Sequence, residues 1–235
     1  MRSTLSTAPE IGWTARLGDG RRLLERGSTA ERVAYILRTH ITEGLFAPGT
    51  RLSEEEIGGE LGVSRNTLRE AFRLLVHERL LVYHFGRGVF VQVPTAEDVA
   101  DLYRLRRILE CAAIRRAREA PPQAVQAARR AVDEAEEAAR GGRWLDVGTA
   151  NMHFHQAVAD LAGSPRVTEI MRGLLAELRL VFQAMSAPRE FHEPYIAGNR
   201  QVVRLLEAGD VASAERALRA YFDAAERQLA SAYPP

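Results

Sequence analysis

Leu61-Gly-Val-Ser-Arg-Asn-Thr-Leu-Arg-Glu-Ala71 is the stretch whose reading decides the fold. Gly62 tolerates the positive φ that ends a helix, and Ser64 is a preferred N-cap, so one helix stops and another starts within three residues. Val63 and Leu68 stand where a hydrophobic staple closes over the cap. From Leu68 the apolar residues recur at Ala71, Phe72 and Leu75, the spacing of a helix with one buried face. The residues left off that stripe are Arg65, Asn66, Thr67, Arg69 and Arg73.

Upstream, Leu52-Ser53-Glu54-Glu55-Glu56 reads as a second staple and capping box, with Ile57 and Leu61 on the inward face of a short helix. Pro48-Gly49 has the residues of a type II turn. Ser28 and Glu31 form a further capping box before Val33, Ile36, Leu37 and Ile41, and Gly44 ends that helix. Downstream, Leu80 to His84 and Val89 to Val93 read as strands joined by a Gly86-Arg87-Gly88 hairpin tip, and Pro94 closes the unit. Helix, glycine turn, capped helix and hairpin predict a winged helix-turn-helix over residues 28–93, its second helix entering the major groove of double-stranded DNA.

Charge supports that reading. Residues 64–93 hold five arginines (65, 69, 73, 79, 87) against two glutamates (70, 78), a net +3. Residues 28–63 hold three arginines (32, 38, 51) against six glutamates (31, 43, 54, 55, 56, 60), a net −3. The whole chain carries only +1 over 235 residues, so basic charge is concentrated where the groove-facing helix and wing are expected. Arg65 and Arg69 lie one turn apart, and each can bond a guanine edge in two places; Asn66 can read adenine or hold a phosphate. The helix N-terminus behind Ser64 offers free N–H groups and a positive dipole end to phosphate.

Beyond a linker at residues 94–96, residues 97–232 show helical periods broken at Pro121-Pro122, Gly141-Gly142, Gly163-Ser164-Pro165, Pro188 and Gly209. About six helices in an all-α antiparallel bundle are expected, making the protein mainly α. Residues 1–27 read as a mobile arm whose Arg16, Arg21, Arg22 and Arg26 are either solvated or near DNA backbone. No apolar run approaches the roughly 20 residues that cross a bilayer, and no signal-like segment opens the chain. With a single cysteine, Cys111, no internal disulfide can form, and a cytoplasmic location is expected. No nucleophile elbow, P-loop, dinucleotide fingerprint or metal-hydrolase motif occurs, and Cys111 beside Ala112 and Ala113 reads as an inert thiol, so no enzyme is expected.

Ile41-Thr-Glu-Gly-Leu-Phe-Ala-Pro-Gly-Thr-Arg-Leu-Ser-Glu54, the quoted 61–71 stretch and Gly86-Arg-Gly-Val-Phe-Val91 closely resemble the winged-helix domain of GntR-type regulators. Leu102-Tyr-Arg-Leu-Arg-Arg-Ile-Leu-Glu110, Asn151-Met-His-Phe-His155 and Leu206-Glu-Ala-Gly-Asp210 resemble the helical effector domain (FCD domain) of that family's FadR branch. The resemblance implies a homodimeric transcriptional regulator, by default a repressor, on a palindromic operator, with a small-molecule effector altering the separation of two recognition helices. It places Ser64, Arg65, Asn66, Thr67 and Arg69 at the groove-reading helix, and His84, Gly86 and Arg87 on a wing that reaches the minor groove. Glu55 stands where several members place a DNA-touching arginine, and a carboxylate there would repel phosphate.

Many relatives hold a divalent metal through an aspartate and a histidine four residues apart plus two later histidines. At the corresponding positions this chain has Asn151, His155, Asn199 and Tyr221. Neutral Asn and Tyr supply neither the charge nor the imidazole nitrogen that a transition metal favours, so no metal and no other cofactor is expected. His153 and His192 are the remaining candidates, but His153 lies about 200° around a helix from His155 and points away. The resemblance implies that Arg106, Asn151, His155, Asn199 and Tyr221 converge inside the bundle, either as an effector pocket in which Arg106 holds an acid group or as a closed hydrogen-bonded network. Arg106 can also pair with Glu110 across one turn. A helical domain that only dimerises is the alternative.

Overall fold

The computed structural model describes residues 28–183 and 188–232, so the expected N-terminal arm with Arg16, Arg21, Arg22 and Arg26 lies outside the described residues. The chain divides into two compact units between Gln92 and Val93.

The first unit runs α1 Thr29–Thr42, β1 Arg51–Leu52, α2 Glu54–Leu61, α3 Arg65–His77, β2 Leu81–His84 and β3 Gly88–Val91. Ser28 caps α1 in a reciprocal box with Glu31. At Ser53 the cap is the serine bond to the Glu56 N–H. Gly62 takes the left-handed conformation (φ 63°), returning the chain for Ser64 to cap α3 through the Thr67 N–H. Val33, Leu37, Leu61, Leu68, Phe72 and Leu75 are fully buried and form the centre of this unit. The sheet order is β1-β3-β2, all antiparallel. Strand β1 was not expected: two residues, registered Arg51↔Phe90 and Leu52↔Val89, are too short for any periodicity to show. The wing also differs in detail. Gly88 begins β3 and the tip is Phe85-Gly86-Arg87, closed by the Arg87 N–H to the His84 carbonyl at 3.0 Å.

The second unit contains α4 Ala96–Arg115, α5 Pro122–Arg140, α6 Trp144–Asp160, α7 Pro165–Gln183, α8 Pro188–Glu207 and α9 Val211–Ala232. Ala96, expected in the linker, is the first residue of α4, because Thr95 and Asp98 form a reciprocal capping box there. Helix pairs α5/α6, α6/α7 and α8/α9 pack together across connections of three or four residues, and such short links force antiparallel neighbours. Pro194 lies inside α8 without ending it. The core joins Leu102, Ile114, Phe154, Val158, Leu178, Val203, Leu218 and Phe222 from the helices that surround the polar centre. No described helix is long and apolar enough to cross a membrane.

Candidate functional site

In the first unit, Ser64, Arg65, Asn66, Arg69 and Arg73 are exposed and Thr67 is half-buried. Two of these groups have local duties. The Ser64 hydroxyl accepts from the Thr67 N–H at 3.2 Å and contacts the Thr67 hydroxyl at 2.9 Å, so both residues build the helix start. Arg69 donates from Nε to both Glu54 oxygens at 2.9 and 3.1 Å. Arg65 and Asn66 therefore project most freely beside the positive end of α3, which has no acidic residue in its first turn. On the wing, the His84 ring meets Phe90 edge-on at 5.1 Å and the Arg87 guanidinium lies 5.6 Å from the same ring. Gly86 (φ 69°) and Gly88 (φ 103°) hold conformations that a side chain would strain, which is why glycines occupy this tip.

In the second unit four helices deliver one polar chain to the middle of the bundle. Arg106 and Glu110 are i, i+4 on α4, as are Asn151 and His155 on α6; Asn199 comes from α8 and Tyr221 from α9. Arg106, Glu110 and His155 are 0% exposed. Arg106 Nε donates to Glu110 Oε1 at 3.1 Å, and Glu110 Oε2 lies 2.6 Å from His155 Nδ1. A carboxylate at that distance fixes the imidazole proton on Nδ1. Nε2 then accepts the Tyr221 hydroxyl proton at 2.9 Å. The Tyr221 oxygen accepts from Asn151 Nδ2 at 3.3 Å, and Asn151 Oδ1 accepts from Asn199 Nδ2 at 2.7 Å. These bonds can share one consistent set of directions, with the Tyr221 hydroxyl also 3.5 Å from Asn151 Oδ1.

The series is satisfied in the middle and open at both ends. Arg106 Nη1 and Nη2 and Asn199 Oδ1 are buried without a well-formed hydrogen bond among the described residues, the Tyr103 hydroxyl being the polar group that approaches Arg106. The guanidinium is instead flanked by the rings of Tyr103 and Phe222, 5.0 and 5.3 Å away. Burial acts to lower the Arg106 pKa, but Glu110, Tyr103 and Tyr221 outweigh it and the group is held charged. Burial pulls the His155 imidazole below its ordinary value; Glu110 opposes this and Arg106 adds to it. Burial lifts the Tyr221 hydroxyl well above its ordinary range, so it remains a donor.

A divalent ion does not fit these residues. The Nε2 lone pair of His155, the one strong ligand retained, is already used by the Tyr221 O–H. Among the described residues no group of three or more His, Cys, Asp and Glu is placed to hold a metal. His153 is exposed and paired with Glu134 at 3.1 Å. His192 is buried elsewhere on α8, in edge contact with Phe182 and Phe191 and against Gly148, where an added Cβ would lie 2.8 Å from Nε2. Cys111 is free and buried, and burial raises its thiol pKa. Three participants were missed or underweighted by sequence reasoning: Glu110, which joins Arg106 to His155, and the rings of Tyr103 and Phe222. The i, i+4 spacing of Arg106 and Glu110 was the available signal.

His192 gives this unit an acid weakness. Burial, aided by the Arg179 charge, lowers its pKa from 6.5 to about 4. The folded unit keeps this imidazole neutral while the unfolded chain protonates near 6.5, so stability is complete above that pH and falls as pH drops towards 4. The loss is on the order of 3 kcal/mol. Urea unfolding at pH 7 and pH 4.5 should show it, and His192→Leu should flatten the dependence; an unchanged slope would remove the assignment.

An exposed recognition helix with a glycine-tipped wing, followed by a separate all-helical unit, defines the class: a winged-helix regulatory protein. The chain belongs to the gntR family of bacterial regulatory proteins, matched over residues 29–91, and its helical unit is an FCD domain, matched over residues 101–224. A solved chain from Rhodococcus sp. RHA1, assigned to the GntR transcriptional regulators, is 44% identical with a TM-score of 0.81, covering 88% of this chain and all of that one. The "Probable D-xylose utilization operon transcriptional repressor" of Paenarthrobacter nicotinovorans is 28% identical over 83% of this chain and 86% of its own length. The gluconate operon transcriptional repressor of Bacillus subtilis (strain 168) is 40% identical over 87 residues, 37% of this chain; this chain thus spans about a third of that relative, 35%. These relatives are transcriptional regulators.

Proposed function

We propose that the protein is a cytoplasmic, homodimeric transcriptional repressor that binds a palindromic DNA operator and is modulated by a small organic acid held, without a metal, in the helical unit. The observation that carries the DNA-binding half is the freely projecting Arg65-Asn66 pair at the positive end of a capped helix, beside a basic wing. Two curated relatives named as repressors support the polarity.

The effector half rests on the two buried Arg106 nitrogens that lack a well-formed hydrogen bond. A buried donor left unpaired costs about 1–3 kcal/mol, and a carboxylate offers two oxygens at the spacing of the guanidinium fork. Asn199 Oδ1 at the other end of the series is suited to a hydroxyl or N–H of the same ligand. Binding at either end reaches His155 and Tyr221 through continuous hydrogen bonds from four helices, which is the means for a ligand to shift their packing.

Selection of bound duplexes from a random pool tests the first half. Arg65→Ala should lose a guanine preference worth about 1–3 kcal/mol. Arg69→Ala should lose less, because Glu54 already competes for that side chain. Retention of no duplex at moderate salt would end the reading. A thermal-shift screen of small carboxylic acids tests the second half: ligand-dependent stabilisation lost in Arg106→Met supports a pocket, and no shift with any acid favours a purely dimerising bundle.

A further inference from the structure

We propose that Phe85 at the tip of the wing is a wedge that enters the minor groove and unstacks one base step of the bound duplex. This rests on the DNA-binding reading above and names a residue it left unused. Phe85 has 106% relative exposure; the other large exposed hydrophobics among the described residues lie between 37% and 67%. A phenylalanine ring buries 150–250 Å² when covered, so leaving it wholly in water forgoes its main contribution to stability.

The turn keeps the ring there. Gly86 at φ 69° and the bond from the Arg87 N–H to the His84 carbonyl fix the tip. His84 before it and Arg87 two residues after it fold back onto Phe90, whereas Phe85 makes no ring contact among the described residues and points out alone. Its surroundings suit a phosphate-walled groove. Arg87 shares the three-residue tip with it, and the Arg51 guanidinium runs past Gly88, 3.5 Å from where a Cβ would stand. A two-stranded tip with one exposed apolar ring on a hairpin that also carries arginines matches the chemistry by which minor-groove proteins insert apolar side chains between base pairs. Pyrimidine–purine steps unstack most readily, so the wedge adds sequence preference at a position where no base edge is hydrogen-bonded.

The test uses the full chain and the duplex it selects from a random pool, with 2-aminopurine placed singly through the flanks of the recognised guanines. The wild type should raise 2-aminopurine fluorescence several-fold at one step, and its selected pool should be enriched in TA or CA/TG there. Phe85→Ala should bind about 10-fold more weakly, the order found for losing one aromatic–base contact, and should show neither the fluorescence rise nor the enrichment. Phe85→Leu, still an apolar wedge, should keep the rise. Equal binding by wild type and Phe85→Ala overturns the proposal, as does a wild-type complex with no fluorescence rise at any position. If the wild type selects no duplex, the DNA-binding reading itself fails and takes the wedge with it, an outcome distinct from the other two.

Discussion

Glu110→Gln is expected to destabilise the helical unit by about 3–5 kcal/mol, the cost of leaving a buried charge without its partner. Glu110 is the only carboxylate recorded against Arg106 among the described residues, and neither side chain has any exposure. The substitution keeps the shape and leaves an amide oxygen for Arg106 Nε or His155 Nδ1, so the loss isolates the charge. At roughly 2–4 °C per kcal/mol for a domain of this size, the melting transition should fall by about 6–20 °C. The pair of substitutions Arg106→Met and Glu110→Leu should recover most of the loss, because apolar replacement of a whole buried ion pair is often neutral or stabilising. Glu78→Gln, at the partly exposed Arg38 pair in the other unit, should cost at most about 1 kcal/mol. Circular dichroism melts of the four proteins decide the matter. A Glu110→Gln protein that melts within 2 °C of wild type would mean that water reaches Arg106, and the buried charge would no longer support an acid ligand.

How much of this was legible in the sequence follows from the range over which each interaction acts. Ser28, Gly62, Ser64 and the broken periods of the helical unit are local signals, and the elements stand where those signals end them, to within a few residues. Strand β1 exists only because Arg51 and Leu52 lie against Phe90 and Val89, nearly 40 residues away, so nothing local announces it. The same holds for sites. That Arg69 is engaged by Glu54, 15 residues earlier, changes its expected contribution relative to Arg65, and spacing within one helix could not reveal it. The five polar residues of the helical unit were picked out by resemblance alone; helical periodicity would have assigned Asn151 and His155 to one face without naming a partner. Their directions, and the open ends at Arg106 and Asn199, depend on burial that only the packed helices create. Phe85 fell between the expected strand ending at His84 and the expected tip beginning at Gly86, and its exposure is a property of the turn.

Asn151→Asp, Asn199→His and Tyr221→His, made together, are expected to convert the polar centre into a metal site, while the wild type gains nothing from the same ion. Tyr221 opposes a metal because its O–H uses the His155 Nε2 lone pair, and its ring packs edge-on against the same imidazole, 4.9 Å between centroids. Replacing it frees Nε2. The other two changes add a carboxylate one turn from His155 on α6 and a second imidazole from α8, for three imidazoles and one carboxylate in all, ligands that zinc accepts in tetrahedral array. Glu110 would then orient His155 from Nδ1, the outer carboxylate that metal-bound histidines commonly have. With zinc at a thousandfold over its dissociation constant the stabilisation is about 4 kcal/mol, or roughly 8–16 °C in the melt. The wild type should melt at the same temperature with zinc or with chelator, and elemental analysis should find no stoichiometric metal. A wild-type protein that purifies with one ion per chain, or loses stability to a chelator, would show that the Tyr221–His155 bond gives way to metal. The acid effector would then have to be held by the ion as well as by Arg106.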